Sequence, residues 1–213
     1  MLRLYDEKTG NVEDLTLARP GVVRISSVAE LRPLLVADLI RRVASHHRLR
    51  PIGIWAAAPE AEELNVRPAE LTSGEADVHV GATVGRCSLR DGRDGRDGDD
   101  GRDPLAVRLA LLTRHYRTDV ALSVEDLREA EEELTSWRRQ VAGWAESPGK
   151  ALNRAYVDEA VAALDSDLDI PGVFPVLSRL AEDPELPPGA KFETVIKLDM
   201  ILGLDLVALV GRL

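Results

Sequence analysis

Across residues 22–56 the chain reads strand, helix, strand, and that order constrains the fold more than any other feature. "VVRISSV", residues 22–28, is apolar and β-branched, as a buried strand is. "ELRPLLVADLIRRVASHH" follows directly. It places Leu31, Leu34, Leu35, Leu39 and Val43 at helical spacing, and its opposite face is expected to be charged. Pro33 falls in the first turn, where its missing N–H costs nothing. "RPIGIWA", residues 50–56, is a second strand, and "ADVHVGATV", residues 76–84, a third. Parallel strands need a crossover, so this alternation predicts a parallel sheet. Residues 1–86 are expected to form a small α/β unit with three mostly parallel strands.

The character changes in "RDGRDGRDGDDGRD", residues 90–103, which places Gly at 92, 95, 98 and 101. A period of three belongs to collagen, but the tract is short and has no proline. Calcium loops need a closing Glu, absent here. The expectation is an exposed linker over residues 87–103.

From Pro104 the pattern is helical to the end, and five helices with short connections predict a bundle over residues 104–213. "SVEDLREAEEELTSWRRQVAGWAE" opens with Ser123 and Asp126, a capping pair. Trp137, Val141 and Trp144 then share one face. Pro148-Gly149 ends this helix, and the last two helices each open at a proline. The predicted fold is a small truncated Rossmann-like parallel sheet followed by an all-α bundle.

Charge and cysteine usage exclude several functions. The net charge is −10, and residues 104–213 alone carry 12 basic and 19 acidic side chains. Phosphate backbones are gripped by Lys and Arg, so this balance disfavours nucleic acid as a partner. One cysteine, Cys87, excludes an internal disulfide and a multi-cysteine zinc site. No apolar run approaches the roughly 20 residues of a membrane span, and "MLRLYDEKTG" has no apolar signal segment. A cytoplasmic protein is expected. The Arg-over-Lys bias, 23 to 4, is that of a GC-rich bacterial genome.

"LYDEKTGNVEDL", then a strand, then "LRPLLVADLIRRV", resembles the N-terminus of cysteinyl-tRNA synthetases. It equally resembles their relatives, the ligases that join cysteine to glucosaminyl-inositol in mycothiol synthesis. "LNVRPAELTSG" is similar to a later segment of both. "DPLAVRLALLTRHYRTDVALSVEDLREAEEELTSWRRQV" is similar to the helical region after their lysine-rich loop, and "GAKFETVIKLDMILGLDL" continues the likeness. The resemblance implies a class I synthetase-like fold, shortened, and an ATP-dependent ligase ancestry with zinc and ATP as cofactors.

It also implies where the chemistry belongs. A His-x-Gly-His type signature opens the family's first helix and stabilises the transferring phosphate. In the register set by Leu31-Arg32 and Val36-Ala37-Asp38, the four positions here are Ser27, Val28, Ala29 and Glu30. Both histidines are replaced, Ala29 adds a Cβ where the nucleotide would pack, and Glu30 puts a negative charge beside the phosphates. The family's lysine loop corresponds to the Gly-Arg-Asp tract. There four arginines accompany six aspartates over residues 90–103, and no lysine occurs between Lys8 and Lys150. The family's zinc ligands are not retained either, since Cys87 matches none of them.

The other polar candidates have structural readings. His46-His47 next to Arg48 suits a helix C-terminus. His79 and Arg86 are the remaining candidates for nucleotide contact, with a satisfied structural histidine the plainer role for His79. His115-Tyr116-Arg117 reads as packing and capping. Cys87 beside Arg86 has a lowered thiol pKa if exposed. The chain is therefore expected to be a degenerate, non-catalytic binding or regulatory module without metal or cofactor, acting on a protein partner or as a homo-oligomer. The alternatives are a minimal cysteine ligase with a rebuilt site, and a tRNA-binding module.

Overall fold

A computed structural model describes residues 2–6, 9–89 and 102–212. The chain opens with an antiparallel hairpin, β1 (Arg3–Asp6) and β2 (Asn11–Asp14), closed at Gly10 in the left-handed region. β3 (Val22–Ser27) follows, then α1 (Leu31–His46) and β4 (Arg50–Ile54). After a short helix, α2 (Pro59–Glu63), the chain returns as β5 (Val78–Val80). The sheet order is β4-β3-β5 and both pairings are parallel, as the strand–helix–strand reading required.

A second small parallel pair joins β6 (Cys87–Leu89) to β7 (Val120–Leu122). β6 lies where the sequence suggested the start of a linker. Its backbone is held there by the 118–122 segment, and the single apolar alternation in "RCSL" gave little strand signal. The other end of the expected linker is also structured. Asp103 caps α3 (Pro104–Leu112), its carboxylate accepting from Leu105 N–H at 2.9 Å. The intervening residues 90–101 lie outside the described residues.

Helices α4 (Val124–Ala145), α5 (Arg154–Asp165), α6 (Val173–Glu182) and α7 (Pro188–Leu202) complete the five expected after residue 104. Their starts are chemically specified. Ser123 and Asp126 form a reciprocal capping box on α4, and the Asn153 side chain accepts from the first turn of α5. Gly203, at φ 68°, stops α7 in the left-handed region.

α1 differs from its sequence reading. Residues 32–44 are all buried, including Arg32, Asp38, Arg41 and Arg42, which were expected on a charged outer face. The sheet covers one side of α1, and α5 and α7 cover the other. The charges therefore find partners inside the protein. The apolar core runs as one cluster from Leu2 to Leu206, so the α/β and helical parts share it.

Candidate functional site

In open parallel sheets, ligands bind beyond the carboxyl ends of the strands where the strand order reverses. Here that point lies between β3 and β5, since β3 is central and its neighbours leave in opposite directions. Ser27 to Glu30, which the resemblance placed at the family's first signature, occupy this rim. Ser27 pairs in register with Val80, and Val28 N–H donates to the Val80 carbonyl at 3.2 Å. The Ser27 hydroxyl donates to the Val28 carbonyl at 2.9 Å. Val28 is 47% exposed, and exposed Glu30 stands at the N-cap of α1 without a side-chain capping bond. The positive end of the helix dipole thus meets a carboxylate supplied by the chain itself.

His79 is brought to this rim. Its Nδ1 shares a 2.7 Å hydrogen bond with the Ser26 hydroxyl, its register partner on the outer face of the sheet. Arg86 is bound elsewhere. Its N–H donates to Asp119 at 2.7 Å, and its carbonyl receives Val120 N–H. The first arginine of α1 also turns inward. Arg32 donates to the carbonyls of Gly85, Thr118 and His115 at 2.6, 2.6 and 3.1 Å. It joins the segments before and after α3 and presents no charge to the rim.

Cys87 reverses its expectation. Cys87 is exposed, yet partial desolvation by the surrounding protein raises its thiol pKa, and nearby Arg32 offsets this only in part. Among the described residues, His46 and His47 belong to no group that could hold a metal ion; His47 pairs with Asp165 at 2.6 Å. The His46 Nδ1 is buried without a partner, and burial together with Lys197 and His47 pulls its pKa down.

His115-Tyr116-Arg117 all engage one residue, as packing. Buried Asp167 accepts from Tyr116 O–H at 2.6 Å, from Arg117 Nε at 2.9 Å and from Tyr5 N–H at 3.0 Å. The His115 ring meets the Asp167 carbonyl at 3.0 Å. Desolvation, then the bond to Asp167, raises the Tyr116 pKa well beyond its usual range. This clasp ties the N-terminal hairpin to the loop after α5.

The largest polar feature was not read from the sequence. Asp38, with no exposure, accepts from Arg42 Nε at 2.6 Å and from Arg108 Nη2 at 3.2 Å. Arg108 also donates to the carbonyls of Leu202 and Leu64 at 2.7 and 2.8 Å. Burial lowers its pKa to about 10 despite Asp38. Arg138 donates to the Leu204 and Asp205 carbonyls and to the Asp103 carboxylate. Asn65 reaches the Gly203 carbonyl at 2.8 Å, and Asp199 accepts from the N–H groups of Leu204 and Leu206, each at 2.8 Å. Arg108, Arg138, Asn65 and Asp199 therefore fix the turn after α7, and Asp38 with Arg42 backs Arg108 from behind. The only sequence signal was polar residues in apolar contexts, as with Arg108 in "PLAVRLALL".

Beside this turn lies an open cleft of about 490 Å³, between α2 and the C-terminal end of α7. Among the described residues, no helix is long and apolar enough to cross a membrane.

No family model matches the chain. It is 36% identical over 104 residues to the L-cysteine:1D-myo-inositol 2-amino-2-deoxy-alpha-D-glucopyranoside ligase of Kribbella flavida. It is 41% identical over 107 residues to the same-named ligase of Thermobispora bispora. It is 35% identical over 104 residues to cysteine–tRNA ligase 1 of Burkholderia lata. Each match covers 49% of this chain. The chain spans about a quarter of the length of the relatives it matches, 25%, 25% and 22% in turn.

Proposed function

From this kinship with the cysteine ligases of mycothiol synthesis and the cysteine–tRNA ligases, we propose that the chain is a non-catalytic binding or regulatory module. The observation that carries the proposal is the rim. Adenylate formation needs positive or hydrogen-donating groups aimed at the phosphates. The four signature positions supply two apolar side chains, one hydroxyl spent on a neighbouring carbonyl, and the carboxylate of Glu30. Arg32, two residues further, is occupied by the carbonyls of Gly85 and Thr118.

The residues present do not fit the cofactors that the kinship implies. For ATP, Glu30 opposes the phosphates at the helix N-terminus. For zinc, the only thiol is Cys87, whose protonated form is favoured by desolvation and which interacts electrostatically with the Arg32 guanidinium. Among the described residues, no three His, Cys, Asp or Glu side chains converge as a metal site. The acidic balance favours a protein partner over tRNA.

Each missing charge-stabilising donor costs about 10²–10³ in rate. Several losses together place activation out of reach. Cysteine-dependent exchange of labelled pyrophosphate into ATP, run with the purified chain, is expected to stay at the blank. Ala29→Gly combined with Glu30→His is expected to leave it there. Exchange above the blank that Ser27→Ala or Glu30→Ala abolishes would overturn the proposal.

A further inference from the structure

The cleft beside the C-terminal turn combines two features that are unusual together. Its walls are apolar where they are most open: Met200 is 58% and Val207 is 37% exposed, with Ile196 and Leu105 alongside. Its rim is acidic: Glu62 and Glu63 come from α2, and Asp199 and Asp205 from the end of α7 and the turn after it. Among the described residues lining the cleft, the one cation, Arg42, is already matched by Asp38 at 2.6 Å. Its remaining donors go to the Met200 and Asn65 carbonyls at 3.2 and 2.7 Å. Among the described residues, no ion pair engages Glu62 or Glu63.

We propose that this cleft docks a basic amphipathic segment of another protein. An aliphatic anchor of that segment rests on Met200 and Val207, while Lys or Arg side chains flank it against Glu62, Glu63 and Asp205.

Chemistry selects this occupant over the others. A second copy of the chain brings a net charge of −10 and the same acidic rim, and like charges across an interface are penalised. A small polycation satisfies the carboxylates but leaves Met200 and Val207 in water. An unbranched, polarisable methionine on an open groove suits an apolar side chain that arrives from outside. A helix laid in a groove presents both features at once, apolar anchors on one face and cations at its margins. Desolvation holds the Asp199 carboxyl above its ordinary range, the Leu204 and Leu206 N–H groups offset this in part, and Asp205 adds to it; a cation set against Asp205 removes that last repulsion.

The inference gives the proposed binding module a partner class and so rests on that reading. The two fail separately. Exchange activity would remove the non-catalytic reading without touching the cleft, and the following titration scores the cleft alone.

The probes are two synthetic 14-residue peptides with leucines at helical spacing, one carrying lysine and the other glutamate at the remaining positions. Each is titrated into the full chain labelled at its Ile, Met and Val methyls. The lysine peptide is expected to shift the methyls of Ile196, Met200 and Val207 and to leave Val157, within α5, in place. Glu62→Gln with Glu63→Gln is expected to weaken binding at least tenfold. Both positions are exposed, so the fold is unaffected, and Met200→Asp abolishes the anchor independently. The inference is overturned if neither peptide moves these methyls, or if the glutamate peptide does so equally. It is also overturned if spermine alone reproduces the shifts and competes fully, or if dilution of the free chain moves the same methyls.

Discussion

The two ends of one turn-rich neighbourhood around α1 treat polar groups in opposite ways. At its start, half-buried Ser27 bonds a neighbouring carbonyl and exposed Glu30 makes no side-chain capping bond. Two turns later, Asp38 and Arg42 are enclosed and tied through Arg108 to the far end of the chain. Here the interior frame ties Asp38, Arg42 and Arg108 together, while the rim presents Ser27, Val28, Ala29 and Glu30 to solvent or to neighbouring backbone. Removing polar groups from the frame is therefore expected to unfold the protein, and removing them from the rim to change little.

The largest effect tests the frame. Asp38→Ala leaves Arg42 and Arg108 buried without their carboxylate, which costs about 3–5 kcal/mol. Urea unfolding of this variant is expected to shift to a much lower midpoint. Glu30→Ala in the same assay is expected to move stability by less than about 0.5 kcal/mol. Equal losses from the two would erase the contrast.

Gly203→Ala comes next. Its φ of 68° disfavours a side chain, and a Cβ there would lie 2.9 Å from the Arg108 guanidinium. Left-handed strain alone is of order 1–3 kcal/mol. A neutral outcome would mean that the turn is not held as tightly as its arginines imply. Tyr116→Phe, which removes one bond to Asp167 within the second clasp, is expected to cost about 1–2 kcal/mol. Thermal unfolding followed by tyrosine-independent circular dichroism reads it.

The smallest effect is a pH slope. The folded His46 pKa lies below its unfolded value of about 6.5, chiefly through burial. The unfolded chain takes up that proton first as pH falls. The stability is fully present above the unfolded value and is lost as pH falls toward and through the folded one. His46→Gln is expected to flatten stability between pH 7.5 and 5.5. An unchanged slope would assign the dependence to other groups, of which His47, Asp158, Asp165 and Lys197 face the same joint.

Much of the frame's scaffold was legible in the sequence. β-branched "VVRISSV" and the leucine spacing after it located β3 and α1. Ser123 and Asp126 marked the start of α4 as a capping box. What was not legible is the fate of charge. Periodicity assigns Arg32, Asp38 and Arg42 to an outer face because it knows only one covering layer, whereas α1 is covered on both sides. Arg108 gave no partner because Asp38 lies 70 residues away in sequence. The rim was the reverse case. Its positions were placed by family register alone, and the structure then located them where strand order reverses. His79 reached that rim, but its bond to Ser26 depends on β3–β5 register, which no local pattern fixes.

Single-turnover adenylate synthesis tests the central claim most directly, because it needs only one chemical event per protein molecule. The full chain is held in excess over ATP with saturating cysteine and magnesium, and acid-quenched samples are examined for cysteinyl adenylate by mass spectrometry. The account predicts no adenylate above a protein-free control, with the folded state intact by circular dichroism. Adenylate formed at a sizeable fraction of the limiting ATP, and lost on Ser27→Ala with Glu30→Ala, would contradict it.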